Sequence, residues 1–182
     1  MHKKTLLKTI LIALAAMMGI FLIVVAVQPS QFRVTRSILV DAAPAAVFPQ
    51  VNQLKNWEAW NPWGQVDPNM KLTYDGPAAG VGASYAWVGN KDVGEGRATI
   101  TESRTNELVQ LRLEFFKPMA GVSTVAFSFK PKGTQTEVTW LMTGENNYFA
   151  KALCLFMNMD KMIGGQFEKG LAALKAAAET AR

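Results

Sequence analysis

The chain has 182 residues, a formal net charge of +5, one histidine and one cysteine. Lys3, Lys4 and Lys8 precede a long apolar run and the other basic residues are scattered among acids, so a nucleic-acid-binding surface is excluded. His2 also precedes that run, and Cys154 has no partner cysteine. The domain that follows therefore lacks an internal disulfide, a histidine-dependent nucleophile and a histidine-ligated metal site. We expect no metal and no cofactor.

An uncharged apolar run occupies residues 10–27, ILIALAAMMGIFLIVVAV. As a helix it would be about 27 Å long, which matches the hydrocarbon core of a bilayer. The run is longer than that of most signal peptides and no A-x-A-like site follows it, which favours an uncleaved signal anchor over a cleaved signal peptide. The preceding lysines predict a cytoplasmic tail over 1–9. A linker over 28–31 and a periplasmic or extracellular domain over 32–182 would follow.

The expected domain begins with a strand and two short helices. Residues 32–40 are rich in β-branched side chains, which favour a strand. Asp41 and Pro44 predict the start of a helix, because aspartate caps helices and proline suits their first turn. Short helices are expected over 45–51 and 54–60.

Alternation of apolar and polar side chains predicts a meander of six further strands. The alternation is regular over 109–115, where apolar residues are separated by Gln110, Arg112 and Glu114. One apolar face and one wet face are typical of an antiparallel sheet that is covered on one side. The expected strands are 70–74, 83–88, 96–103, 108–116, 123–130 and 137–143.

The end of the chain predicts one long helix that covers the sheet. From Asn147 onward, apolar residues follow one another at helical spacings. Roughly thirty helical residues would span about 45 Å, enough to cross the sheet. Gly164 and Gly165 interrupt the pattern, which favours close packing or a bend over room for a ligand. The apolar stripe comprises Phe149, Leu153, Phe156, Ile163, Phe167, Leu171 and Leu174.

Three of the five tryptophans lie within seven residues, at Trp57, Trp60 and Trp63. The first two share a helix face, and Pro62 then ends the helix. Such a cluster closes one end of a core or gates the entrance to a ligand cavity. The first interpretation is favoured, because buried aromatic residues usually serve packing.

Several short motifs occur in a fixed order along residues 32–182. They are Arg36-Ser-Ile38, Ala43-Pro-Ala-Ala-Val-Phe48, Trp57-Glu-Ala-Trp-Asn-Pro-Trp63, Gly80-Val-Gly-Ala83, Trp87, Val93-Gly-Glu-Gly96, Thr99-Ile-Thr-Glu-Ser103, Val138-Thr-Trp140 and Phe167-Glu-Lys-Gly-Leu171. With the order of the elements, they resemble the START-like, or SRPBCC, superfamily and its polyketide cyclase/dehydrase-like branch. The resemblance implies an α+β helix-grip fold, in which a curved antiparallel sheet of about seven strands wraps a long C-terminal helix. It also implies a hydrophobic tunnel between sheet and helix for lipids, sterols, polyketides or other apolar ligands.

Apart from Asp160, the side chains expected to line this tunnel are apolar, and they face inward from the strands, the tryptophan cluster and the long helix. A concave sheet under a single helix is difficult to fill, which favours a cavity over a fully packed core. The expected lining residues are Trp60, Trp63, Tyr85, Trp87, Leu111, Leu113, Phe115, Phe127, Phe129, Trp140, Met142, Phe156, Asp160, Ile163 and Phe167.

Asp160 is the one candidate catalytic residue. On an unbroken helix it would lie in the apolar stripe, where a carboxylate must be paired or protonated. Burial could tune it as a general acid or base. Alternatively, Asn158 or Asp160 caps a second helix after a break, or Asp160 forms an ion pair, and this interpretation is favoured.

Three functions are compatible with these features. The first is a membrane-anchored domain that binds or carries an apolar small molecule or lipid. The second is a cyclase or dehydratase that uses a cavity carboxylate, which the absence of histidine makes less attractive. The third is a non-catalytic interaction module of the cell envelope with its cavity packed shut. An open tunnel would favour the first two, and a large patch of exposed aromatic residues would favour the third.

Overall fold

The computed structural model describes residues 2–180 and divides into two compact units. The first unit comprises the chain up to Phe32 together with Asn146–Asn158. The second comprises Arg33–Glu145 and the chain from Met159 onward. Met1 of the expected tail and the last two residues of the expected domain lie outside the described residues.

The elements follow in chain order. They are α1 (His2–Ala26), β1 (Gln31–Val40), α2 (Pro44–Asn52), a 3₁₀ helix (Leu54–Ala59), α3 (Trp63–Val66), β2 (Lys71–Asp75), β3 (Ser84–Val88), β4 (Glu95–Arg104), β5 (Leu108–Lys117), β6 (Gly121–Lys132), β7 (Gln135–Glu145), α4 (Tyr148–Cys154) and α5 (Met159–Thr180).

Helix α1 contains the apolar run. Its stretch Leu6–Ala26, 21 residues, is long and apolar enough to cross a membrane, and its side chains are largely exposed. Length and composition of this kind are shared by membrane spans and signal sequences.

The seven strands form one sheet in the order β1-β7-β6-β5-β4-β3-β2. Each consecutive pair from β2 to β7 is antiparallel, so the predicted meander is confirmed. Phe127 of β6 lies opposite Trp140 of β7, and such cross-strand neighbours share a face of the sheet. That face is buried along both strands, which alternate between buried and more exposed positions.

Helix α5 is the predicted long C-terminal helix. Its buried residues Phe167, Leu171, Leu174 and Ala178 are spaced four, three and four apart, as expected of one apolar stripe. With the antiparallel sheet, it completes the α+β helix-grip fold.

The helix expected from Asn147 is not unbroken, because α4 ends at Cys154 and α5 begins at Met159, as in the alternative of a second helix after a break. The side-chain oxygen of Asn147 accepts a hydrogen bond of 2.8 Å from the Ala150 N–H and caps α4. The second helix starts just after Asn158, in a sequence where Asn and Asp compete with helical backbone hydrogen bonds. The predicted stripe is thereby divided, and its first members belong to the first unit.

Candidate functional site

The tryptophan cluster is anchored to the end of α2. The Trp57 indole N–H donates to the Val51 carbonyl at 2.8 Å, and that of Trp60 donates to the Gln50 carbonyl at 3.0 Å. Carbonyls in the last turn of a helix lack partners within the helix, so these indoles satisfy them. The two rings lie 4.7 Å apart between centroids and are buried. The predicted pairing of Trp57 and Trp60 is therefore present, although Trp57 lies in a 3₁₀ helix that ends just before Trp60.

Aromatic rings fill the space between the sheet and α5. Trp140 lies 4.7 Å from Phe127 and stacks on Phe167 at 4.1 Å, measured between ring centroids. Trp60 meets Trp140 edge-on at 5.8 Å. Gly170 of α5 permits this approach, because a Cβ atom there would lie 2.8 Å from the Trp140 ring. In this structure the middle of the expected tunnel is closed by stacked rings.

Trp140 has an unusual polar feature. Its indole N–H is buried, and among the described residues no atom accepts a hydrogen bond from it. Leaving a buried donor unpaired costs about 1–3 kcal/mol, so such groups are rare in proteins and require an explanation. Trp63 covers this region from α3, with its ring 6.0 Å from that of Trp140 and 6.3 Å from that of Phe167. Trp63 itself is only half-buried.

A small cavity of about 30 Å³ lies on the other side of Trp57. This volume holds about one water molecule, whereas sites for drug-sized ligands occupy about 300–1,000 Å³. Its lining combines apolar side chains with polar groups that converge on one place. The lining residues are Leu54, Trp57, Glu58, Asn61, Gly64, Met70, Leu72, Tyr74 and Tyr85.

Two tyrosine hydroxyls define the polar side of this cavity. Tyr74 donates to Glu58 Oε1 at 2.7 Å, and Tyr85 lines the cavity together with Asn61. Burial, and then the Glu58 hydrogen bond, raise the pKa of Tyr74. Burial raises the pKa of Tyr85 against an opposing effect of Asn61. Both hydroxyls therefore stay protonated at neutral pH, and that of Tyr74 already donates its proton to Glu58.

A second depression, of about 550 Å³, is open to solvent and lies on the outer face of α5. Ala59, Ala173, Ala176, Ala177 and Thr180 line it. Small side chains around a shallow surface offer little enclosure to a ligand.

The residues predicted to line a tunnel differ in placement. Those buried in the second unit are Trp60, Tyr85, Trp87, Leu111, Phe127, Phe129, Trp140, Met142 and Phe167. Those half-buried there are Trp63, Leu113, Phe115 and Ile163. Phe156 belongs to the first unit and is 78% exposed, because the chain leaves the helix before it. Of the residues that line the small cavity, only Tyr85 was among those predicted to line a ligand site, and the polar residues Glu58, Asn61 and Tyr74 were missed. Glu58 and Asn61 lie within the tryptophan motif, so this motif was the sequence signal that pointed to them.

Asp160 is exposed and belongs to an ion-pair cluster. Its Oδ2 lies 3.0 Å from Arg36 Nη2, and Arg36 Nε lies 2.7 Å from Glu168 Oε1. The hydrogen bond from Arg36 holds the pKa of Asp160 below its usual range. Gly164 provides the space for this guanidinium, because a Cβ atom there would collide with it. The ion pair with Arg36, rather than burial beside a ligand, therefore explains why a carboxylate is present at position 160. Contact with the same guanidinium explains the close packing expected at Gly164.

Within residues 2–180, no group of three histidine, cysteine, aspartate or glutamate side chains is arranged to hold a metal ion.

An antiparallel sheet closed by a long helix over an aromatic interior defines the helix-grip class of ligand-binding and cyclase-like domains. Residues 31–179 match the family described as polyketide cyclase / dehydrase and lipid transport, and the chain belongs to this family. The resemblance inferred from the motifs is therefore confirmed. No curated protein sequence matches the chain.

Solved structures share the fold at low sequence identity. A Staphylococcus aureus protein of unknown function, SA2116, aligns with a TM-score of 0.60 and 12% identity, over 82% of this chain and 94% of that one. Chromobacterium violaceum CV1439 gives 0.59 and 13%, over 83% and 98%. Aha1 from Colwellia psychrerythraea, solved as a dimer in solution, gives 0.55 and 18%, over 83% and 98%. These similarities establish the fold alone.

Proposed function

We propose that the protein is a membrane-anchored domain that binds or carries an apolar small molecule or lipid between its sheet and α5. The closed interior taken alone would favour the interaction module. The observation that favours ligand binding over it is the unpaired, buried indole N–H of Trp140. An apolar ligand that carries a carbonyl or hydroxyl oxygen would satisfy this donor, whereas a purely hydrocarbon ligand would not. Membership of a family whose description includes lipid transport agrees with the proposal.

Entry of a ligand requires rings to move, and Trp63 is the best-suited gate. It is half-buried, whereas Trp57 and Trp60 are buried and bonded to the backbone. Helix α3, on which Trp63 lies, has four residues and no buried side chain. Segments with few buried contacts open at low free-energy cost. Displacement of Trp63 would uncover Trp140 and Phe167, which it contacts.

The anchor is α1, and the lysines at its start favour a cytoplasmic N-terminus. The domain would then be periplasmic or extracellular. A tether of this kind keeps a lipid-binding domain beside the bilayer, where apolar ligands are concentrated.

A cyclase or dehydratase activity has less support. The carboxylate considered for it, Asp160, is exposed, and its hydrogen bond with Arg36 lowers its pKa, whereas a general acid or base needs a pKa near the working pH.

The ligand proposal is tested by comparing two indole variants of the full chain. Trp140→Phe removes the unpaired donor, and Trp57→Phe removes an indole whose donor already bonds Val51. Wild type and both variants are purified from the same cells, and organic extracts are compared by mass spectrometry. We expect one apolar compound to be depleted about threefold to tenfold in Trp140→Phe, the equivalent of one hydrogen bond, and largely retained in Trp57→Phe. Equal amounts in all three extracts would contradict the proposal.

A further inference from the structure

The first unit contains a cluster of exposed apolar side chains next to the end of α1. We define the apolar collar as Tyr148, Phe149, Phe156 and Met157. These side chains are 49%, 59%, 78% and 43% exposed. Patches of this kind are rare on soluble proteins unless another surface covers them.

Three contacts hold this segment against the last turns of α1. The Tyr148 hydroxyl donates to the Leu22 carbonyl at 2.9 Å, and Lys151 Nζ lies 3.5 Å from the Ala26 carbonyl. The ring of Phe156 stacks on that of Phe21 at 6.5 Å between centroids. The collar is therefore continuous with the apolar surface of α1.

The depth of these contacts follows from helix geometry. The stretch Leu6–Ala26 is about 31 Å long as a helix, close to the roughly 30 Å of a hydrocarbon core, so Ala26 would lie at its boundary. Phe21 precedes Ala26 by five residues, or about 7.5 Å. Amphipathic segments that lie in a membrane interface bury their apolar side chains about 5–10 Å deep, which is the depth at which Phe156 meets Phe21.

The chemistry of the collar also fits an interface. Tyrosine is enriched near membrane interfaces because its ring is apolar, and here the Leu22 carbonyl satisfies the hydroxyl of Tyr148. Lys151 can extend its ammonium group toward the headgroups while its stem stays in apolar surroundings. Phe149, Phe156 and Met157 supply the apolar contact area.

We infer that the apolar collar is a second membrane-binding element, which inserts into the bilayer interface around the end of α1. This inference rests on the proposed membrane anchoring by α1. It assigns the patch to a lipid surface and not to a protein partner, because the collar is continuous with a helix that itself requires a lipid environment.

The test uses the full chain in phosphatidylethanolamine and phosphatidylglycerol vesicles. A nitroxide label on Cys154, the only cysteine, reports on α4. Labels at Phe149→Cys, Ile20→Cys and Thr134→Cys, each combined with Cys154→Ser, report on the collar, the span and the exposed β6–β7 turn. Collision rates with oxygen and with a water-soluble nickel chelate are measured by electron paramagnetic resonance.

We expect the ratio of nickel to oxygen collisions at Cys154 and at Phe149→Cys to be severalfold lower than at Thr134→Cys. The ratio should be lowest at Ile20→Cys. Water-like ratios at Phe149→Cys and at Cys154, with a hydrocarbon-like ratio at Ile20→Cys, would overturn the inference while α1 remains an anchor. The collar would then face a protein or water. A water-like ratio at Ile20→Cys would overturn the anchoring itself.

Discussion

Trp57 and Trp140 carry the same indole ring in the same core but differ in what their N–H groups meet. The Trp57 donor is bonded to Val51, whereas the Trp140 donor has no acceptor among the described residues. A ligand-binding protein can retain such an unpaired donor at a cost to stability, because the bound state satisfies it. Neither fact can be derived from the sequence, in which both residues are simply apolar positions.

This difference predicts unequal effects on stability. Trp57→Phe leaves the Val51 carbonyl without its partner, whereas Trp140→Phe removes a donor that is already unpaired. We expect Trp57→Phe to lower the free energy of unfolding by about 1–3 kcal/mol more than Trp140→Phe, since both remove the same ring volume. Chemical denaturation of the ligand-free full chain in detergent measures this. A larger loss for Trp140→Phe would mean that its N–H has a partner.

The Asp160–Arg36 pair predicts a pH dependence. Because the pKa of Asp160 is lowered in the folded protein, the pair stabilises the fold above the ordinary aspartate pKa of about 3.9 and loses its effect as the pH falls through the lower folded value. Asp160→Asn should therefore lower the Tm at pH 7, and its difference from wild type should shrink toward pH 3. Thermal unfolding monitored by circular dichroism provides the measurement.

Asp92→Asn, in the exposed loop between β3 and β4, is the matched control for Asp160→Asn. We expect this substitution to change the Tm little at either pH. An Asp160→Asn variant that lost the same stability at pH 3 as at pH 7 would argue against the ion pair. A variant that lost an enzymatic activity without losing stability would favour a catalytic role for Asp160.

At the scale of elements, the strands were the most predictable part of the molecule. Apolar and polar residues alternate with period two along β5, β6 and β7, and turn residues separate them, so local sequence determines these elements. The break between α4 and α5 was less visible, because the apolar spacing continues across it. The polar residues of the small cavity could not be assigned, since Glu58 and Tyr74 meet only through tertiary packing.

If Trp63 of α3 is a gate, its substitution should affect ligand uptake more than folding stability. Trp63→Ala should weaken ligand retention more than stability, because Trp63 is half-buried and contacts the rings of Trp140 and Phe167 from outside. Trp60→Ala, at a buried residue, should instead cost several kcal/mol of stability, about 3–5 for a large aromatic side chain. Retained ligand and thermal stability are measured on both variants. Equal losses of both properties in Trp63→Ala would assign Trp63 to packing alone.

At the scale of the whole molecule, the proposed topology is directly testable. An alkaline phosphatase reporter fused after Arg182 should be active, because the domain is proposed to lie outside the cytoplasm. A β-galactosidase reporter at the same position should be inactive. The reverse pattern would overturn the orientation inferred from Lys3, Lys4 and Lys8.

The overall architecture was predictable because it depends on the order of elements, which the sequence motifs and the spacing of apolar residues both reflect. The grouping of 146–158 with α1 was not predictable, since it depends on contacts such as that between Tyr148 and Leu22. Whether the interior is an open tunnel or a packed core could not be predicted from the sequence either. The same inward aromatic residues could line a tunnel or stack on one another, and packing geometry decides between the two.

Native mass spectrometry of the full chain, released from detergent micelles, tests the central claim most directly. We predict a single stoichiometric apolar adduct on the wild-type protein that is lost or strongly reduced in Trp140→Phe, while weak lipid adducts bound around α1 persist in both. Identical adduct patterns in the two proteins, or a wild-type protein that takes up nothing from a panel of lipids, would contradict ligand binding in the space between the sheet and α5.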